Sequence, residues 1–217
     1  MPKGYNGQIL RVNLTTKQIE KENPSDSFYR TYMGGGAVGA YYLLKETGGK
    51  TDPFAAENIV TIAPSVTTGT QVTGVSRCSV VALSPLTGAA GEGQAGGSIG
   101  PMIKRAGYDA IVITGRAKTP CYLYVSSNEV EIKDAAELSG KTVGEVYDLL
   151  MGDLGKSKLS IIQSGPAGEN KVRFASLMVD RNNVVGRTGL VRYSVIRTCG
   201  LWPCEETAVL SLLSLKS

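Results

Sequence analysis

The chain has 217 residues, of which 42% are hydrophobic and 19% are charged, a composition typical of a folded globular protein rather than a disordered chain. Its formal net charge of +4 comes from scattered lysines and arginines, which argues against a nucleic-acid-binding face. No apolar run predicts a membrane span or a signal peptide, and the complete lack of histidine excludes Ser-His-Asp and Cys-His catalysis. We therefore expect a cytoplasmic protein whose chemistry depends on a bound cofactor or on another part of a larger protein.

The first quarter of the chain predicts a hairpin, a helix and a strand. Apolar and polar residues alternate along residues 7–20 and turn at 15–17, as in two antiparallel strands. Apolar residues at helical spacing predict a helix around 36–46, and an apolar run predicts a strand at 58–63.

The middle of the chain predicts a site for an anionic group. A strand is expected at 79–83, a turn at 84–88, a glycine loop at 91–100, a short helix at 101–106 and a strand at 110–114. Main-chain amides of a glycine loop and the positive end of a helix dipole both favour anions, so this order suits a bound phosphate.

The second half repeats the order of the first. Residues 121–133 predict another hairpin, Thr142 and Glu145 form a capping box at the start of a helix, and residues 159–163 predict a strand that leads into Gly165. Two copies of hairpin, helix and strand favour an internal duplication. Chance recurrence of a common α+β pattern is the alternative.

The glycine motif taken alone does not identify a ligand. Gly91, Gly93 and Gly96 match G-x-G-x-x-G, but the acidic residue and the βαβ context of a dinucleotide site are missing. Ligand binding and a tight structural turn explain these glycines equally well. Arg77 could pair with a phosphate, although a surface arginine is the simpler explanation.

Taken together, the motifs resemble the N-terminal domain of the aldehyde:ferredoxin oxidoreductase family. The resemblance covers residues 5–190 and depends on SPLTG at 84–88, AGYDAIVITG at 106–115, GPAGEN at 165–170 and GRTG at 186–189, in that order. It implies a duplicated α+β fold, in which two β-sheets with helices form a platform that supports a tungsten bis-pterin.

The resemblance also implies where the cofactor would lie. Arg77 would face the pterin phosphate and magnesium region, the loop 93–97 would lie along one pterin, and residues 183–188 would lie along the other. The implied cofactor-binding residues are Arg77, Gly93, Gln94, Ala95, Gly96, Gly97, Asn183, Val184, Gly186, Arg187 and Thr188. Two of them depart from the family pattern, since asparagine is common at the position of Gln94 and a basic residue at that of Asn183.

The implied reaction is the oxidation of an aldehyde to a carboxylic acid at tungsten or molybdenum, with electrons passing through a [4Fe-4S] cluster to ferredoxin. In the family the cluster cysteines and the acid–base residues lie in later domains, so the resemblance assigns this chain no catalytic residue and no metal ligand. We expect the isolated chain to be inactive. A stand-alone pterin-binding module and a non-functional remnant are the alternatives, and a homodimer is left open.

The sequence after Leu190 departs from the family pattern, which continues like G-A-V-F-G-S-K-N-L-K-A-V-A-V-R-G. This chain reads VRYSVIRTCGLWPCEET instead. If the reading frame is moved by one nucleotide, the same codons permit G-A-V-F-G-x-S-N-L-R-A-V-A-V-R-G. The codons of Trp202 and Pro203 force one alanine of that stretch.

We therefore predict a frameshift near codon 190. The pterin-binding domain would be residues 1–190, and residues 191–217 would be an out-of-frame tail without order. Cys199 and Cys204 would then be products of the wrong frame, and a Trp202 buried in the core would contradict the hypothesis.

Overall fold

A computed structural model describes residues 4–153, 159–190, 196–199 and 207–212. Its architecture is mixed α/β, with two β-sheets packed face to face, helices on their outer sides and one short helix that contributes to the core between them. No helix in these ranges is long and apolar enough to cross a bilayer.

The first sheet is built from the first half of the chain. Its strands, in chain order, are β1 (Ile9–Asn13), β2 (Gln18–Glu22), β3 (Val60–Pro64), β4 (Cys78–Leu83), β5 (Ala90–Ala95) and β6 (Ala110–Thr114). They lie in the order β2-β1-β6-β3-β4-β5. The pair β1 and β6 is parallel, and the other neighbouring pairs are antiparallel.

The second sheet is built from the second half. Its strands are β7 (Cys121–Ser126), β8 (Val130–Asp134), β9 (Leu159–Ser164), β10 (Leu177–Val179), β11 (Asn183–Val185), β12 (Ile196–Cys199) and β13 (Thr207–Leu212). The main order is β8-β7-β13-β9-β10-β11, and β12 pairs with β9.

Helices and short turns connect these strands. They are α1 (Asp26–Tyr32), α2 (Gly35–Glu46), α3 (Ile99–Arg105), a 3-10 turn (Ala136–Leu138), α4 (Val143–Asp153) and α5 (Pro166–Glu169). The predicted capping box is confirmed at α4, because Thr142 Oγ1 accepts from the Glu145 amide at 3.4 Å and Glu145 Oε2 accepts from the Thr142 amide at 2.7 Å.

Apolar side chains from both sheets form one core between them. Val12 and Ile113 of the first sheet and Leu123 and Leu177 of the second belong to it, together with Ile103 of α3. Burial of one aliphatic side chain of this size contributes about 1.5–3 kcal/mol to folding. The sandwich is therefore the main source of stability and fixes the two sheets relative to each other.

Each sheet also carries helices on its outer face. On the first sheet, Val38 and Tyr42 of α2 pack on Ile9 and Val112. On the second, Val146 and Leu150 of α4 pack on Ile161 in a separate cluster. The layers run helix, sheet, sheet, helix, and each half repeats hairpin, helix and strand. The predicted duplicated fold is confirmed.

One sequence-based prediction is wrong, because residues 91–95 of the predicted glycine loop form strand β5. The strand alternates Gly91, Gly93 and Ala95 on its buried face. A β-carbon at Gly91 would lie 2.6 Å from Thr188 Oγ1, and one at Gly93 would lie 2.5 Å from Val185 Cγ1. The glycines are strand residues that permit close packing, which single-sequence β-propensity does not reveal.

The prediction of a disordered tail falls mostly on residues outside the described ranges. Where the structure describes the tail, at 196–199 and 207–212, it places strands β12 and β13. Trp202 and Cys204 lie outside the described residues, and the frameshift remains a prediction.

Candidate functional site

The site predicted from the sequence lies where the end strands of the two sheets meet. β5 and β11 are the last strands at corresponding ends of their sheets. Gly93 of β5 faces Val185 of β11 with no space for a side chain between them. Within the described residues, each strand has a hydrogen-bonded neighbour strand on one side only. Two main-chain edges are thus available in one region.

The residues of β5 alternate between two faces of the sheet. Gly93 and Ala95 point to the buried sandwich, whereas Glu92 and Gln94 are exposed on the other face. The Glu92 carboxylate accepts hydrogen bonds from Ser79 Oγ at 2.8 Å and from Gln94 Nε2 at 2.9 Å. A single ligand can therefore contact all of 93–95 only through the main-chain edge.

The predicted residues Gly96 and Gly97 lie against Asn183. A β-carbon at Gly97, where φ is +87°, would come within 2.8 Å of Asn183 Nδ2, and one at Gly96 would lie 3.6 Å from its Oδ1. The structure thus brings together residues that are far apart in the sequence and that belong to the two pterin-facing segments implied by the resemblance.

Arg77 lies beside this contact at the start of β4. Cys78 pairs with Ala95, so Arg77 comes directly before that pair and Gly96 directly after it. The Arg77 carbonyl accepts from Thr68 Oγ1 at 2.8 Å, which anchors the main chain, while the residue itself is exposed. Its guanidinium is therefore accessible to an anionic ligand.

Hydrogen bonds from the SPLTG turn fix the segment that follows β11. Buried Ser84 donates from Oγ to the Thr188 carbonyl at 2.5 Å and accepts from the amides of Leu86 and Thr87 at 3.2 and 3.1 Å. Thr188 has φ of +62°, a left-handed conformation that this anchor helps to hold. The predicted site residues Val184, Gly186 and Arg187 on this segment are exposed.

Asp180 links the two halves of the site and was not among the predicted site residues. Its carboxylate accepts from the Ile161 amide at 2.8 Å, from Ser98 Oγ at 2.8 Å and from Ser160 Oγ at 3.3 Å. Burial raises the pKa of Asp180, and these hydrogen bonds oppose that rise. Since Ser98 follows Gly97 directly, Asp180 fixes the first loop to the second sheet. An acidic residue directly after the apolar strand LMV was the available sequence signal.

Two further motifs of the resemblance have structural roles. Asp109 of AGYD accepts from the amides of Asn6 and Gly7 and pairs with Lys104 Nζ at 2.6 Å, which ties β6 to the start of β1. In GPAGEN, Glu169 accepts from the Gly140 amide at 2.9 Å, and Asn170 Nδ2 donates to the Pro166 carbonyl at 2.8 Å. Asn170 thus closes its own turn, whereas Glu169 ties the GPAGEN turn to the chain before α4.

The buried cysteines are not reactive thiolates. Burial raises the pKa of Cys78 far above its usual range and raises that of Cys121 to about 12, so both remain protonated at neutral pH. No group of three or more potential metal-ligating side chains occurs among the residues for which side chains are described.

Most of the chain matches one known protein family. The profile of the family described as "Aldehyde ferredoxin oxidoreductase, N-terminal domain" matches residues 9–193. The chain belongs to this family. The predicted resemblance is confirmed, and the chain is identified as an N-terminal domain of a family of oxidoreductases.

Individual members of the family differ in what their names say they act on. The tungsten-containing aldehyde ferredoxin oxidoreductase of Pyrococcus abyssi is 43% identical over 187 residues, which is 86% of this chain and 31% of the relative. The WOR-like subunit of an aliphatic sulfonate oxidoreductase of Pyrococcus furiosus is 34% identical over 200 residues, or 85% of this chain and 32% of the relative. The chain spans about a third of the length of these curated relatives.

A solved structure shows the same fold. The active-site complex BamBC of benzoyl coenzyme A reductase, in complex with 1,5-dienoyl-CoA, superimposes with a TM-score of 0.85 at 29% identity. The match covers 100% of this chain and 32% of the solved chain. The family fold therefore occurs in enzymes described by different substrates.

Proposed function

We propose that this chain is the pterin-binding N-terminal part of a tungsten-dependent oxidoreductase. The observation that carries the proposal is the contact of Gly96 and Gly97 with Asn183 at the meeting point of β5 and β11. The name of the Pyrococcus abyssi relative, which specifies tungsten, supports the choice of metal. Molybdenum is the alternative metal.

The residues at this place fit a flat polar cofactor. Two strand edges offer main-chain donors and acceptors, and the small residues 95–97 let a ring system approach the main chain closely. The exposed guanidinium groups of Arg77 and Arg187 could each pair with a pterin phosphate or share it with magnesium. Asp180 and Ser84 would hold the two loops in position.

When bound, the metal would supply the redox chemistry, and this chain would bind and orient the pterins. We propose oxidation of an aldehyde to its carboxylic acid, with electrons passing through a [4Fe-4S] cluster in other domains to ferredoxin. The enzyme would act in the cytoplasm, and a homodimer stays a proposal. The preferred substrate would be set outside this chain, since relatives named for aldehydes and for sulfonates share this domain.

The isolated chain would lack catalytic activity. Apolar residues are exposed beside the candidate site, including Leu86 at 52%, Phe174 at 71% and Val184 at 45%. Such exposure fits a surface that another domain covers, and it favours a remnant prone to aggregation over a stand-alone module. Pterin retention distinguishes the non-functional remnant from the stand-alone module.

The test is pterin retention by the purified full chain. Tungsten bis-pterin extracted anaerobically from a relative is added, and retained pterin is measured by fluorescence after oxidation and gel filtration. The expected result is retention by the wild type and at least about a tenfold loss in the double variant Arg77→Ala/Arg187→Ala, because each charge-assisted hydrogen bond contributes about 1.5–3 kcal/mol. Arg30→Ala, on exposed helix α1, is the matched control.

Equal retention by the double variant would contradict the proposed phosphate contacts. No retention by any variant would favour a non-functional remnant. Aldehyde oxidation by the isolated chain would overturn the proposal that catalysis needs the other domains.

A further inference from the structure

The two ends of the sandwich differ in how closely the sheets meet. Where β5 meets β11, Gly93 faces Val185 with no space for a side chain. Toward the other end, a cavity of about 500 Å³ opens between the β1–β2 turn, the linker that precedes β7 and the end of β8. Small-molecule sites in proteins have volumes of about 300–1,000 Å³. None of the predicted cofactor-binding residues lines this cavity.

The floor of the cavity is apolar. Leu14 and Cys121 are buried members of the core between the sheets, and Ala117 and Ile132 pack against the same core. All four residues line the cavity. Protein interiors contain few voids larger than a water molecule, so the open end of this core is a distinct feature of the sandwich. The floor suits the apolar body of a small ligand.

The β1–β2 turn forms one rim of the cavity and is fixed by hydrogen bonds. Asn13 Oδ1 accepts from the amides of Thr15 and Thr16 at 3.0 and 3.2 Å. Thr15 Oγ1 accepts from the Arg116 amide at 2.8 Å, which joins the turn to the linker before β7. Lys17 completes the turn with φ of +59°. Because this rim is already ordered, a ligand would bind there with little loss of conformational entropy.

The charges that line the cavity leave it positive. Lys17 and Lys118 are exposed, and neither forms an ion pair within the described part of the chain. The carboxylate of Asp134 also lines the cavity, and its Oδ1 accepts from the Ala136 amide at 2.9 Å. Burial raises the pKa of the Cys121 thiol, whereas Lys17 lowers it and Asp134 raises it. The charges of Lys17 and Asp134 therefore both act at the cavity floor.

The charge of Lys133, which also lines the cavity, is directed elsewhere. Its Nζ pairs with Glu131 Oε2 at 3.0 Å and lies 4.5 Å from the centroid of the Tyr124 ring. Tyr124 packs against the apolar cluster on the outer face of the second sheet. The ammonium is thus offset by Glu131 on that outer face. Lys17, Lys118 and Asp134 then leave the cavity with one net positive charge.

We propose that this cavity, the hairpin pocket lined by residues 14–17, 117–121 and 132–134, binds a monocarboxylate with an apolar chain. The chain lies on the apolar floor, and the carboxylate lies between Lys17 and Lys118. One net positive charge matches a monoanion, and Asp134 repels a second negative charge. The hairpin pocket is independent of the proposed pterin site, because it is formed by other segments of the chain.

The test is calorimetric titration of the full chain with octanoate as the probe. We expect octanoate to bind at one site. Octylamine has the same chain length and the opposite charge, and it should bind at least about tenfold more weakly because the rim repels it. The double variant Lys17→Gln/Lys118→Gln should weaken octanoate binding by about threefold or more. Lys50→Gln, at another exposed lysine, is the matched control.

Amide hydrogen exchange locates the bound octanoate. Exchange should slow in 14–17 and 117–121 and stay unchanged in 93–97 and 183–188. Ala117→Leu adds volume to the apolar wall and should weaken octanoate binding without loss of the fold, which urea denaturation checks. No octanoate binding, equal affinity for octanoate and octylamine, or protection confined to other segments would overturn the proposal. Unchanged affinity in the double variant would overturn the assigned carboxylate position and the proposal with it.

Discussion

The two halves of the molecule share a strand order but differ in what their anchoring carboxylates hold together. In the first half, Asp109 ties the start of β6 to the start of β1, and residues 110–113 are buried. In the second half, Asp180 ties the end of β10 to β9 and also binds Ser98 of the first half. One carboxylate thus fixes strands within its own sheet, whereas the other also joins the two halves.

The largest expected loss of stability follows from removal of the Asp109 carboxylate in the first half. The substitution Asp109→Ala leaves the part-buried Lys104 ammonium with the Gly4 carbonyl but without its carboxylate, and leaves the amides of Asn6 and Gly7 without their acceptor. Removal of one partner of a buried ion pair costs about 3–5 kcal/mol. Urea denaturation should show this loss in the free energy of unfolding. Asp153→Ala, at an exposed position of α4, should change it by less than about 0.5 kcal/mol.

A substitution at the contact between the two sheets should cause the next largest loss of stability. In Gly93→Ala the new methyl group would overlap Val185 of the other sheet, and overpacking costs about 1–3 kcal/mol. Gly144 lies in α4 with open space around it, so Gly144→Ala should stabilise the chain by about 0.5–1 kcal/mol. The same sign for both variants in urea denaturation would refute the assigned packing.

The helices on the outer faces differ in how their first turn is capped. Loss of a cap should cause a smaller loss of stability. α2 starts at Gly34 without a side-chain cap, whereas α4 starts with the Thr142–Glu145 capping box. Thr142→Ala should therefore cost about 1 kcal/mol, measured by thermal and urea unfolding. Thr142→Ser keeps the hydroxyl and should stay close to the wild type.

The smallest expected change in stability is that of a substitution at Asp180, and it depends on pH. Because the folded-state pKa of Asp180 is raised by burial, the stability it contributes is present at acidic pH and is lost as pH rises through that pKa. Asp180→Asn removes this titration, so its unfolding free energy should improve relative to the wild type between about pH 4 and neutrality. Urea denaturation across this range measures the difference. Asp148→Asn, at an exposed residue that pairs with Arg181, should not show the same trend.

Much of the fold could be predicted from the sequence because its signals are local. Alternation predicted both hairpins, and helical spacing with a capping box predicted α2 and α4. The repeated order of these elements predicted the duplication. β5 was missed because its glycines have low β-propensity, and only the packing against Val185 explains them.

The candidate site could be predicted only in part, since it depends on contacts between distant residues. Ser84 binds the Thr188 carbonyl 104 positions away, and Ser98 binds Asp180 82 positions away. Periodicity cannot predict such contacts. The motif resemblance supplied the site residues, and the structure showed that Gly97 and Asn183 are neighbours.

The most direct test of this account is the nucleotide sequence of the source gene from codon 180 through the region after codon 217. The account predicts that codons 191–206, read one nucleotide out of frame, give G-A-V-F-G-x-S-N-L-R-A-V-A-V-R-G, and that this frame stays open into later cysteine motifs. Codons whose third positions do not permit that reading would contradict the frameshift.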